Sequence, residues 1–303
     1  MAVSPYNIRS YRTADFNEFV LLFQEAEQRE PIGRPNTPQA ILAKFSHPTF
    51  TVDDDLLIVE SDGKIIGFMD MLPELGIKRV IVDCWLKPEH RRNGLGRKLL
   101  KLATKRARDL GAGFLHVIIG EENKAAVTIL ASLGFEKVRE YYEMTLDLKE
   151  VDGKELMRAS RGCRPLGEGE EEMLVDIQRR SFVDHWGYNP DTPETMEYNM
   201  SLSHRSPRDI ILSCKEDDIT GYCWTEVAPG GQGRIFMIGS DPDYRGRGIG
   251  RKLLLAGLAN LKNKGVAEVG LTVDSENQAA CSLYESVGFV PREGYLWYEK
   301  PVN

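Results

Sequence analysis

Apolar residues along this 303-residue chain recur with periods of about 3.6 and about 2 residues, and the switches between the two mark out the elements. Residues 6–12 read as a strand, followed by Asp15 as the cap of a helical run over 16–29. Residues 37–45 form a second helical stretch. Residues 56–60 and 64–71 alternate or run apolar around Ser61-Asp62-Gly63, which predicts a hairpin. Residues 79–86 are a further strand, because Val80, Ile81 and Val82 suit a buried pleated surface. A glycine loop then opens a helix to about residue 110, followed by a strand over 114–119, a helix over 123–132 and a closing strand over 141–148. The order returns further on. Strands over 210–214 and 220–227 flank a turn at Asp217-Asp218, 235–238 precedes a second glycine loop and its helix, 269–273 follows, and 294–299 closes the chain.

The recurrence has a fixed offset. Residues 88–135 align without a gap on 242–289, at a shift of 154, and sixteen of the 48 positions are identical. Arg91, Gly94, Gly96, Arg97, Lys98, Leu99 and Leu100 return as Arg245, Gly248, Gly250, Arg251, Lys252, Leu253 and Leu254. Glu122, Asn123, Ala125, Ala126, Ser132, Gly134 and Phe135 return as Glu276, Asn277, Ala279, Ala280, Ser286, Gly288 and Phe289. Solenoid and propeller units run about 20 to 50 residues, so this period means two complete domains of one fold. The expected domains are 1–150 and 155–303, with the charged stretch 149–154 between them.

Composition narrows the function classes. Hydrophobic residues at 42% and charged residues at 28% fit a globular protein with sizeable cores. No apolar run reaches the roughly 18 residues that span a bilayer, and residues 1–12 lack the plan of a signal peptide, so no membrane and a cytoplasmic location are expected. A net charge of -7 offers no general excess of cation for nucleic acid. The five cysteines and five histidines show no zinc spacing, which predicts reduced thiols and no metal.

In each half an apolar strand runs into a glycine loop that opens a helix: Arg91-Arg92-Asn93-Gly94-Leu95-Gly96 and Arg245-Gly246-Arg247-Gly248-Ile249-Gly250. Glycines let such a loop turn tightly with its amides bare, and the positive end of the helix dipole behind them suits a pyrophosphate. Arg245, Arg247, Arg251 and Lys252 add local positive charge. A lone copy also has a plainer reading, a glycine-rich strand-to-helix turn with solvated basic residues. A dinucleotide fold is disfavoured, because its fingerprint follows the first strand of its unit, and no Walker A motif occurs.

These loops resemble the [RQ]-x-x-G-x-[GA] signature of the GNAT (Gcn5-related) N-acetyltransferases, and Asn277 to Phe289 is similar to that family's N-x-x-A-x-x-x-Y-x-x-x-G-F segment. The resemblance covers both halves. It implies a mixed α/β sheet in each, that is, two tandem acyl-CoA N-acyltransferase domains, with acetyl-CoA as cosubstrate and a small-molecule amine as acceptor. It also implies that the loop of Arg245, Gly246, Arg247, Gly248, Ile249, Gly250 and Arg251 holds the pyrophosphate. Backbone groups of Ile238, Gly239 and Ser240 would pair with the pantetheine arm, and Gly239 inside the strand would mark a bulge or a close ligand approach. Asn277 would bond near the pantetheine or cap its helix. The first half offers Cys84, Trp85 and Leu86 with Arg91, Arg92, Asn93, Gly94, Leu95, Gly96 and Arg97 at the equivalent positions.

The halves differ where the chemistry would occur. Tyr284 matches the family's proton-donating tyrosine, whereas its counterpart Leu130 has no proton to give. The resemblance therefore implies an active second domain and a degenerate first one. Tyr284 could also be a packed aromatic. Glu226 is the candidate base, or else a strand-end glutamate, and Asp83 lies mid-strand where the second half has Met237. His185 and Trp186 follow the first helix of the second half, where the family builds its acceptor pocket, although a loop with a packed Trp explains them as well. The layout also resembles mycothiol synthase, a two-domain member that acetylates a cysteinyl amine. Arg234 departs from that likeness, because it stands where that enzyme has an acidic residue at its substrate amine. A non-catalytic acetyl-CoA sensor stays open as the alternative, and a monomer with two pseudo-symmetric domains is expected.

Overall fold

A computed structural model describes residues 5–34, 36–202, 205–216, 218–228 and 231–302. Asp217, placed in the second hairpin turn, and His204 lie outside these residues. The chain forms two compact units, one of Met1–Glu140 with Gly294–Asn303 and the other of Tyr141–Glu293.

In the first unit β1 (Tyr6–Ser10) leads to α1 (Phe16–Arg29), α2 (Pro38–Phe45) and the short α3 (Val52–Asp55). Helix α1 buries Phe19, Val20, Leu22, Phe23 and Ala26, a stripe at helical spacing. Thr37 caps α2 by accepting from the Ala40 amide at 3.2 Å, with Pro38 in the first turn where its missing N–H costs nothing. Then follow β2 (Leu56–Ser61), β3 (Lys64–Glu74), β4 (Arg79–Leu86), α4 (Leu95–Asp109), β5 (Phe114–Gly120) and α5 (Lys124–Ser132). Strand β3 is buried along most of its length because helices cover both faces, which is why it reads as an apolar run.

Strand β6 (Glu136–Asp147) crosses into the second unit, which continues with α6 (Gly153–Ser160), β7 (Cys163–Pro165), α7 (Glu171–Phe182), α8 (Pro193–Ser201), β8 (Ile210–Lys215) and β9 (Asp218–Val227). After these come β10 (Gly233–Ser240), α9 (Ile249–Asn263), β11 (Glu268–Asp274), α10 (Gln278–Val287) and β12 (Val290–Pro301). The sequence gives no sign of α6, which starts inside the expected linker and buries Leu156 and Ala159 in the α9 core.

The units differ from the two sequence halves in their last strands. Residues Gly294 onward of β12 belong to the first unit, where Tyr295 to Pro301 pair antiparallel with Gly120 to Phe114 of β5. Residues Tyr141 to Asp147 of β6 belong to the second, paired with Asp274 to Glu268 of β11. Each half thus supplies the strand that closes the other's sheet. The boundaries 1–150 and 155–303 are corrected accordingly, because alternation along a strand specifies its faces but not the edge it joins. The sheets run β1-β2-β3-β4-β5-β12 and β7-β8-β9-β10-β11-β6.

Candidate active site

The second unit is built around a parting of two parallel strands. β10 and β11 pair only at Gly233–Val269 and Arg234–Gly270, and the ladder stops there. Beyond Arg234, β10 carries a bulge against β9 between Ile235 and Met237. A bulge bends and twists a strand, and here it turns β10 away from its parallel neighbour. Residues Met237 to Ser240 along the open edge are half-buried, with backbone groups available for a strand-like partner.

At the end of this edge lies the glycine loop. Gly246 and Gly248 adopt φ of 72° and 79°, and Arg245 to Gly248 are exposed. The first helical bond of α9 runs from Lys252 N to Gly248 O, so the amides from Gly246 to Arg251 precede it and face the loop. The Arg245 guanidinium ties the loop to α7 by donating to the Ser181 carbonyl at 2.9 Å. Arg251 is turned to Ser286 and Glu155, and Arg247 lies over the Tyr244 ring.

Tyr284 sits on α10 in the apolar cluster that Ile238 of β10 joins, with its ring edge-on to Phe289. Only 7% of it is exposed, and burial drives the phenol well above its ordinary value, so that it stays protonated. Asn277 caps α10 through its side-chain oxygen, which accepts from the Ala280 amide at 3.1 Å. Its amide nitrogen lies 3.3 Å from His185 Nε2. His185 is therefore at the α10 cap beside the loop, and burial and the nearby Arg245 lower its affinity for a proton. Trp186 packs near Tyr141.

Two expected roles change with the geometry. Gly239 was expected to make room for ligand, but a Cβ there would lie 2.7 Å from Ser181 Cβ and 2.9 Å from Phe182 Cε2, so the close neighbour is α7. The bulge falls at Phe236 instead. Glu226 pairs in register with Arg234 at the closed end, and its carboxylate accepts from Arg205 Nε at 2.5 Å. Arg205 in turn lies over the rings of Trp224 and Phe236. Trp224 faces α7 while Tyr284 lies in the α9 and α10 cluster, so by strand alternation Glu226 and Tyr284 lie on opposite faces of the sheet.

Arg234 does not stand alone. Its guanidinium donates to both carboxylate oxygens of Glu143, at 2.9 and 3.3 Å, and to Thr272 Oγ1 at 2.9 Å. A Cβ on Gly270, between them on β11, would fall 2.9 Å from Glu143 Oε1, so glycine lets this pair cross the strand. Glu143 carried no signal in the sequence, because it reaches the site on the exchanged strand.

A family model described as the acetyltransferase (GNAT) family matches residues 18–135 and again 172–289. The chain belongs to the GNAT acetyltransferase family. A mycothiol acetyltransferase of Thermobispora bispora is 30% identical over 281 residues, covering 90% of this chain and 92% of that protein. One from Thermomonospora curvata is 29% identical over 284 residues, covering 93% of each. Among solved structures, a GCN5-related N-acetyltransferase from Sphaerobacter thermophilus superposes with a TM-score of 0.78 at 23% identity, over 100% of this chain and 98% of that one. A tandem GNAT protein from the clavulanic acid biosynthesis pathway gives 0.75 at 17% identity, over 98% of this chain and 99% of that one.

Acetyl-CoA is the cosubstrate of this GNAT acetyltransferase, and the residues fit it: bare amides at a helix N-terminus suit its phosphates and an open strand edge suits its amide-bearing arm. The first GNAT unit repeats the scaffold. β4 and β5 pair from Arg79–Phe114 to Ile81–His116 and then part. Its loop holds Arg92 at φ 64° and Gly94 at 76°, so a non-glycine residue takes the left-handed place of Gly246. Leu95 is buried, and Gly96 and the exposed Arg97 follow it in α4.

The gap of this unit is furnished differently. Cys84 is exposed, Trp85 is buried, and Arg91 spans from the Leu86 carbonyl to Glu30. Asn93 bonds to the Tyr6 hydroxyl. Asn123 caps α5 and bonds Glu30, as Asn277 caps α10 and meets His185. Asp83 takes two bonds from Arg34, at 2.6 and 2.8 Å, and Leu130 fills the place of Tyr284. No helix among the described residues is long and apolar enough to cross a membrane, and none of their His, Cys, Asp or Glu side chains group to hold a metal ion.

Proposed function

We propose that this acetyltransferase moves the acetyl group of acetyl-CoA to a primary amine of a small molecule, and that the second unit does so with Tyr284 as general acid. The observation that carries this reading is the buried, protonated phenol sharing a cluster with the open edge of β10, where the first unit has Leu130. The neutral amine attacks the thioester carbonyl, the C–N bond forms, the C–S bond breaks, and the departing sulfur takes the proton of Tyr284. The proton shed by the amine leaves through water in the gap, because Glu226 holds Arg205 in place over Trp224 and Phe236, and water returns a proton to the Tyr284 phenolate once CoA thiol has formed. Amides from Gly246 to Arg251 bind the pyrophosphate, and Ile238, Gly239 and Ser240 offer their backbone edge.

The relatives named mycothiol acetyltransferase make a cysteinyl amine the first acceptor to try. Arg234 alone would repel a cationic amine, but its pairing with Glu143 supplies the compensating carboxylate at the closed end of the gap. Release of free CoA thiol is the assay, run with a panel of amines that includes the cysteine-glucosamine-inositol conjugate. Tyr284→Phe is expected to lower kcat by about 10²-fold or more with the KM for acetyl-CoA little changed. Full turnover in that variant removes Tyr284 from the role. Tight acetyl-CoA binding with no thiol release for any amine supports the sensor instead.

A further inference from the structure

Helices α4 and α9 are the same element of the two GNAT units, and their outer faces differ. On α9, Leu255, Ala256 and Ala259 are 4%, 3% and 9% exposed, because α6 packs on that helix with Leu156 and Ala159. The charged side chains at the head of the face meet the same cover. Arg251 donates to Glu155 of α6 at 2.8 Å, and Lys252 donates to the Gly162 carbonyl at 2.5 Å.

At the shift of 154 these five positions become Arg97, Lys98, Lys101, Leu102 and Lys105 of α4. All five are exposed, and no helix precedes β1 among the described residues as α6 precedes β7. Arg97, Lys98 and Lys101 have no ion pair among the described residues, and Lys105 pairs only with Asp109 of its own helix. Lys98, Lys101 and Lys105 share one face, at spacings of one and two turns. No acidic residue occurs from Leu95 to Arg108, although the chain as a whole has a net charge of -7. The core side of α4 is held by Leu95, Leu99, Ala103 and Ala107, so packing does not demand the cationic stripe.

We propose that this face of α4 docks an acidic amphipathic helix of a partner protein, laid on it as α6 is laid on α9. Carboxylates of that helix meet Lys98, Lys101 and Lys105, and an apolar side chain covers Leu102. The cover on α9 shows both parts of such a contact, apolar side chains beneath a helix and a carboxylate on an arginine. A lipid surface would take up an apolar face, and Leu102 is a single apolar side chain among cations. A polyphosphate would be repelled by the net negative charge of the rest of the chain. The stripe from Lys98 to Lys105 takes no part in the acetyl transfer proposed for the second unit.

The full chain is titrated into a fluorescein-labelled peptide of about 18 Glu, Leu and Ala residues, long enough to hold a helix in water, with its glutamates and leucines set on one face. A scrambled peptide of the same composition is the control. Fluorescence anisotropy should show saturable binding severalfold tighter than to the scrambled peptide, weakening as salt is raised. Lys101→Glu/Lys105→Glu replaces two attractions by two repulsions and should weaken binding about tenfold. Leu102→Ser should weaken it severalfold. These side chains are exposed, so the melting temperature should hold in both variants. Equal affinity for the scrambled peptide overturns the proposal, as does full binding by the double variant. A phosphatidylglycerol vesicle or a single-stranded oligonucleotide that binds more tightly than the peptide, and is released by the same double substitution, assigns the face to lipid or nucleic acid and overturns it. Sedimentation that shows a dimer dissolved by that substitution makes a second copy of this chain the occupant, and overturns it too.

Discussion

Replacing Gly239 by alanine separates two reasons for a glycine in β10. The added Cβ would lie 2.7 Å from Ser181 Cβ, 2.9 Å from Phe182 Cε2 and 3.0 Å from Ser181 Oγ. Carbon atoms prefer about 3.5 to 4.0 Å, so the last turn of α7 must retreat by close to an ångström. Overpacking of this kind costs about 1 to 3 kcal/mol. For a unit of this size that lowers the melting temperature by roughly 2 to 10 °C. The same turn of α7 carries the Ser181 carbonyl that anchors Arg245, so the KM for acetyl-CoA should rise as well. Calorimetric melting without ligand and steady-state kinetics measure the two effects. A melting temperature within about 1 °C of the unsubstituted protein, together with a sharply raised KM for acetyl-CoA, would refute the packing argument. That outcome would return Gly239 to the ligand.

Arg92 pays for a left-handed backbone at φ 64°, so Arg92→Gly should stabilise the first unit by roughly 0.5 to 1 kcal/mol, read as a higher urea midpoint; a lower midpoint would show that the arginine side chain outweighs the strain. Glu143→Ala leaves Arg234 without its carboxylate and should raise the acceptor KM severalfold while that of acetyl-CoA holds, as should Gly270→Ala, whose methyl group would fall 2.9 Å from Glu143 Oε1; an equal rise for both substrates would place the pair elsewhere in function. His116 is buried, and desolvation with the nearby Arg79 pulls its pKa down to about 4. The unfolded chain therefore binds a proton that the folded one refuses between about 6.5 and 4. This group's stability is complete above that window and falls as pH drops through it, so the urea midpoint of His116→Gln should decline less between pH 7 and 5 than that of the unsubstituted protein.

Much of the site could be read from residues near one another in the chain. The glycine loops, the Asn277 cap and the contrast of Leu130 with Tyr284 are local patterns, and the repeat at a shift of 154 placed them in two copies of one fold. Glu226 and Gly239 were read less well. A glutamate at a strand end gives no sign of an arginine such as Arg205, which comes from the segment after α8, and a glycine does not say whether ligand or helix approaches it. Glu143 was missed because it belongs by sequence to the first half.

Local periodicity and turn chemistry therefore determined most of the elements, the family and the glycine loops, since each depends on steric preferences within a few residues. The tertiary structure alone decided which sheet the strands at 141–147 and 294–301 complete. It also decided which charges meet across them. Those choices rest on long-range strand edges and on the cost of leaving a buried charge unpaired, and neither leaves a pattern in the residues next to the ones that satisfy it.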